Sequence, residues 1–136
     1  MSEVVSHSKY IKRTAALLSV LMILFLPGCR EKSFSFADGM YVPERIEADR
    51  TVVPFLLIKD GSMRVIDHPA VSYQPSGSIT VKENKIVMET QFLNESCKWT
   101  FILTNNNTLD YSSGESHLPE GWENWKDGMR FIRAEE

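Results

Sequence analysis

The sequence predicts an all-β domain, a small antiparallel up-and-down meander that closes into a barrel. Three observations predict it. From Gly39 onward, short runs rich in Val, Ile, Thr and aromatic residues are separated by turn residues. Within runs such as Ser78-Ile79-Thr80-Val81-Lys82, apolar and polar residues alternate with the period of a strand. The connections are mostly short enough for local hairpins, and a flat sheet of that many strands would leave open edges that closure removes. A two-sheet β-sandwich is the second architecture compatible with the pattern.

The elements follow in order. Met40-Tyr41-Val42 is the first strand. Thr51 to Ile58 is the most apolar run, and Pro54 marks an edge or bulge in it. Asp60-Gly61 is a strong hairpin signal, with Met63 to Ile66 returning from it. Val71 to Tyr73 reads as a further strand, ended by Pro75-Ser76-Gly77. Ile79 and Val81 lie on the next one, and Glu83-Asn84 turns the chain into Lys85 to Thr90. Trp99, Phe101 and Leu103 share one face of the following strand. Asn105-Asn106-Asn107 suits a turn with left-handed backbone angles before Thr108 to Tyr111. Asp127-Gly128 leads into Met129 to Ile132, which makes about nine strands in all. Glu44 to Arg50 is the best candidate for two helical turns, and Leu118 to Lys126 for one, because Trp122 and Trp125 are three apart.

The front of the chain has a different composition. Lys9, Lys12 and Arg13 precede the charge-free run from Thr14 to Leu26. A basic start followed by an apolar helix of this length is the pattern of a secretory signal. Counted through Gly28, the charge-free stretch is about 15 residues, short of the ~20 needed to span a bilayer. Pro27 and Gly28 then break the helix before Cys29.

On Leu26, Pro27, Gly28 and Cys29 the sequence resembles the bacterial lipoproteins, whose lipobox is an aliphatic residue, a variable one, a small one and Cys. The resemblance implies diacylglycerol on the Cys29 thiol and cleavage between Gly28 and Cys29. It divides the chain into a signal peptide (1–28), a lipidated tether (29–36) and one β-barrel-like domain (37–136). The partner it implies is a membrane, the cell membrane or the outer membrane, with the domain facing the periplasm or the exterior. Arg30 follows Cys29 where the family's inner-membrane retention signal has Asp, so an envelope with two membranes would sort the protein outward. Two or three acyl chains, at about 0.8 kcal/mol per buried methylene, hold a domain stably on a bilayer. The domain itself is similar to compact lipocalin-like barrels in length and strand pattern, without a signature motif.

Charge and cysteine usage narrow the function. Residues 29–136 carry a net charge of about −5, so there is no electrostatic case for nucleic acid. With Cys29 lipidated, Cys97 has no partner for an intrachain disulfide, and its place beside Trp99 suggests a buried, inert thiol. No nucleophile elbow, zinc-helix, phosphate-loop or Cys-x-x-Cys motif occurs, and no cofactor is implied. Asp67-His68 before Pro69 has the residues of an acid–base pair but equally those of a turn. Glu115, His117 and Glu120 carry ligand atoms at a spacing that matches no recognised metal site.

The expected function is therefore binding rather than catalysis. A small apolar or amphipathic ligand would enter a barrel lined by Tyr41, Tyr73, Trp99, Phe101 and Tyr111. Alternatively, an envelope protein would be met by loops, as in an inhibitor, an immunity factor or an assembly subunit. Trp122, Trp125 and Tyr73 are the candidate contacts, with the two tryptophans equally suited to plug the end of the barrel as core.

Overall fold

The computed structural model describes residues 35–50 and 52–135. The expected signal helix, Gly28 and Cys29 lie outside these residues. Eight strands are joined in chain order: β1 (Gly39–Pro43), β2 (Phe55–Lys59), β3 (Ser62–Ile66), β4 (Ser76–Lys82), β5 (Lys85–Phe92), β6 (Glu95–Asn105), β7 (Thr108–Tyr111) and β8 (Arg130–Arg133). Each pairs antiparallel with the next, and β8 returns to β1 through Tyr41 opposite Arg133 and Pro43 opposite Phe131. The result is one closed up-and-down barrel, the strand order of lipocalin-like barrels, which excludes the sandwich.

Alternation on β6 organises the interior. Cys97, Trp99, Phe101 and Leu103 point inward and are buried. They meet Leu56, Ile58, Met63, Val65, Ile86, Met88, Leu109 and Phe131 from the other strands. Burying each large apolar side chain contributes about 1.5–3 kcal/mol. An eight-stranded barrel is just wide enough for its own side chains. Here Tyr41, Trp99, Phe101 and Tyr111 occupy that space as buried side chains. Phe36, at the end of the expected tether, packs against this core and belongs to the domain.

Thr100, on the outer face of β6, is also fully buried. The 112–117 segment lies over it, with Thr100 Oγ1 donating to the Glu115 carbonyl at 2.9 Å and Ser116 Oγ accepting from the Thr100 amide at 2.9 Å. β4 forms a corner, pairing with β3 through Ser76–Ser78 and with β5 through Ile79–Lys82. Gly77 sits in this bend because a Cβ there would stand 3.3 Å from the Glu89 carbonyl oxygen and 3.3 Å from Met88 Cγ.

Several expectations need correction. There are eight strands rather than about nine, since Val71–Tyr73 is loop. Pro69 and Pro75 bracket it without amide donors, and the Val71 amide closes a turn on the His68 carbonyl. β2 starts at Phe55, directly after Pro54, instead of running through it. Glu44–Arg50 is not helical; the Arg50 amide closes a single turn on Glu47. Leu118–Lys126 holds two successive four-residue turns, the Trp122 amide donating to the Pro119 carbonyl and the Trp125 amide to the Trp122 carbonyl, each 3.3 Å, instead of a helical turn. None of Asn105, Asn106 and Asn107 has a positive φ. Asn105 Oδ1 accepts from the Asn107 amide at 2.9 Å, and this side-chain bond replaces the left-handed turn.

Candidate functional site

The meander sorts the connections by length. The 60–61, 83–84 and 106–107 turns, residues 35–38 and the C-terminal residues lie at one end of the barrel. The other end carries the 44–54, 67–75 and 112–129 loops and the 93–94 turn. Up-and-down order dictates this, because odd and even connections fall at opposite ends. The loop end is therefore where irregular backbone collects, and binding residues are disproportionately found on such segments.

Trp125 plugs this end. It is 5% exposed, stacks on Phe131 at 5.4 Å and stands edge-on to Tyr111 at 5.3 Å. Its Nε1 donates to Asp67 Oδ1 at 2.8 Å, which ties the 67–75 loop to the plug. Trp122 lies above it, with the rings 6.0 Å apart and inclined by 29°. Trp122 also meets Trp99 at 5.5 Å and Phe92 at 6.1 Å, both edge-on. The buried Trp99 Nε1 has no hydrogen-bond partner among the described residues.

One side of Trp122 faces a groove of about 160 Å³ shared with Val71, Tyr73, Pro75, Phe92 and Leu93. Tyr73 is 73% exposed and Leu93 68%. The structure thus brings Tyr73 and Trp122 together, places Trp125 in the core, and removes Tyr73 from the barrel lining. Leu93 carries no signal in the sequence that marks it as a site residue. It forms, with Asn94, the two-residue turn between β5 and β6, at φ +50° and +68°. Such turns favour Asn-Gly or Asp-Gly, as in Asp60-Gly61 at φ +50° and +72°. A left-handed Leu costs on the order of 1–2 kcal/mol. Exposure leaves its apolar side chain without burial energy to offset that cost.

A second groove at the same end measures about 370 Å³. Ile46, Val53, Pro54 and Met129 supply its apolar surface, and Arg45, Glu47, Arg50 and Lys126 its charged rim. Lys126 pairs with Glu47 at 2.7 Å, and Arg50 donates to the Asn124 carbonyl.

Several of the residues read as candidate acids, bases or ligands have structural partners. His68 Nδ1 accepts from the Ala70 amide at 3.2 Å. Glu115 pairs with Lys85 at 2.7 Å, and His117 joins β6 through a bridge to Lys98. Among the described residues no three His, Cys, Asp or Glu side chains are grouped as a metal site would require. The Cys97 thiol is buried, and desolvation, then the charge of Glu95, pushes its pKa up. Comparison with protein-family models, curated proteins and solved structures finds no match to the chain.

Proposed function

We propose that the chain is a bacterial lipoprotein, anchored through Cys29, that binds its target with the loop end of the barrel rather than with the barrel interior. The observation that carries this reading is the segregation of the two ends. Residues 35–38 enter beside the tight turns, so an anchor at Cys29 turns that end toward the membrane. The loop end then faces away from it. Six residues from Cys29 to Ser35 reach at most about 20 Å when extended, which keeps the domain close to the bilayer. The reading assigns the chain a binding role; Asp67, Glu47, Glu115 and His68 hold structural contacts in the loops and at the loop end.

The groove between Ile46 and Met129 favours a second reading, a small amphipathic ligand held at the surface. Its volume of about 370 Å³ is within the range of ligand sites. Two experiments test these readings. Palmitate labelling and membrane fractionation should be lost in Cys29→Ala, and normal processing with retained membrane association would overturn the anchor. Native mass spectrometry of the full chain in nanodiscs, after incubation with source-cell extract, separates the targets. A retained mass of a few hundred daltons that Ile46→Asn abolishes supports the small ligand. A retained protein supports the loop end as a protein-binding surface.

A further inference from the structure

The protein-binding reading of the loop end can be taken to a surface and a partner chemistry. Three segments build the smaller groove: 67–75, 89–96 and 118–125. They share two properties that ordinary surface loops lack in combination. The first is apolar exposure concentrated at one place, with Val71, Tyr73 and Leu93 standing out around the half-buried Trp122. Contiguous apolar patches rimmed by polar residues mark contact sites on soluble domains. Leu93 carries the argument furthest. A residue in the left-handed region that is also exposed and apolar is unfavourable twice over, and Asn or Gly would relieve both.

The second property is charge. The three segments contain Asp67, Glu89, Glu95, Glu120 and Glu123, one histidine, His68, and no Lys or Arg; Asp67 and His68 line the groove itself and the other acids surround it in sequence. Asp67 is occupied by Trp125, and Glu123 accepts from the Gly121 amide. Glu95 stands directly across the turn from Phe92, beside Leu93, and Glu120 precedes Trp122 on its loop. Lys98 and Lys126 lie just outside in sequence, Lys126 is neutralised by Glu47, and Arg50, which lines a neighbouring pocket with Asp67 and His68, is engaged by the Asn124 carbonyl. An apolar centre with an acidic surround repels an anionic lipid surface and attracts cations.

We propose that Val71, Tyr73, Leu93 and Trp122 form the docking surface for a cationic segment of another protein, one that presents an apolar anchor residue flanked by Lys or Arg. The anchor packs against Leu93 and the open face of Trp122, and the flanking cations meet Glu95 and Glu120. A second copy of this chain is the poorer occupant, because its own loop end carries the same acids. This inference rests on the reading of the loop end as the binding end.

The test uses the full chain in nanodiscs and two synthetic peptides sharing a Leu-Trp core, one flanked by lysines and one by glutamates. Binding is measured by biolayer interferometry against the wild type, Leu93→Asn and Ile46→Asn. Leu93→Asn keeps a residue suited to the turn, and urea unfolding checks that each variant is folded. The expected result is retention of the lysine peptide alone, weakened tenfold or more by Leu93→Asn and unchanged by Ile46→Asn, with the increment falling as salt rises. Loss in Ile46→Asn but not in Leu93→Asn would overturn this surface while leaving the loop end as the binding end. Equal binding of both peptides, or of neither, would overturn the cationic partner. Concentration-dependent dimers that Leu93→Asn abolishes would assign the surface to a second copy, and capture of phosphatidylcholine vesicles would assign it to a membrane; either overturns the proposal.

Discussion

Trp125 Nε1 donates to Asp67 Oδ1 at 2.8 Å across 58 positions of sequence, and this bond joins the β3–β4 loop to the aromatic plug of the barrel. The plug in turn stacks on Trp122, so the surface that faces solvent rests on a part-buried pair.

Truncation should separate the two tryptophans. Trp125→Ala should cost about 3–5 kcal/mol, as for other large aromatic core residues. Trp122→Ala, which loses half-buried area, should cost about 1–2 kcal/mol. Asp67→Ala leaves the indole N–H unpaired and should cost about 1–2 kcal/mol. Urea midpoints measure all three, and equal losses for the two tryptophans would contradict the assignment of Trp125 to the core and Trp122 to the half-buried surface.

Leu93 should show the opposite sign. Replacing it with Asn relieves the left-handed strain and removes exposed apolar area, so Leu93→Asn should stabilise by about 0.5–1 kcal/mol. A loss of stability in the same unfolding assay would mean that the Leu93 side chain packs more than its exposure indicates.

Acid should act through Asp110. Arg130 donates to its two oxygens at 2.7 and 2.9 Å, and Thr104 to one at 3.1 Å. Hydrogen bonding from Arg130 outweighs desolvation and holds this carboxyl below its ordinary value of 3.8. The folded state therefore binds the proton less readily than the unfolded one. The stabilisation is complete above that value and is lost as pH falls through the lower, folded one. Between neutral pH and pH 2.5 the wild type should lose more stability than Asp110→Asn. Parallel pH profiles would contradict it.

Cys97 should be silent toward thiol reagents. Burial removes access and raises its pKa, so Ellman's reagent at pH 8 should label it far more slowly in the native protein than in urea. Comparable rates would place the thiol at the surface.

Much of the barrel is legible in the sequence, and the proposed docking surface far less so. Asp60-Gly61 names its own turn, and the alternation through Trp99, Phe101 and Leu103 names the inward face of β6. The tryptophan pair stands out by composition. Val71-Ser72-Tyr73 misleads because its side chains favour strands while Pro69 and Pro75 deny it a ladder. Leu93 is hidden for a related reason: turn chemistry is read from Gly, Asn and Asp, and an apolar residue in a left-handed turn carries no local signal. The meeting of Val71, Leu93 and Trp122 depends on which connections share an end of the barrel. That was available from loop lengths once the meander order was known, because the long connections are all odd-numbered.

The placement of the chain's entry and the loops at opposite ends has a mechanical consequence. A protein gripped at its loop end while held near residue 35 is loaded along its strands. The force reaches β1 first, where residues 39–41 pair with β2 and 41–43 with β8. Those bonds lie across the pull, so they are sheared together instead of being unzipped one by one. Such a domain resists tension applied between these two ends better than its modest size suggests.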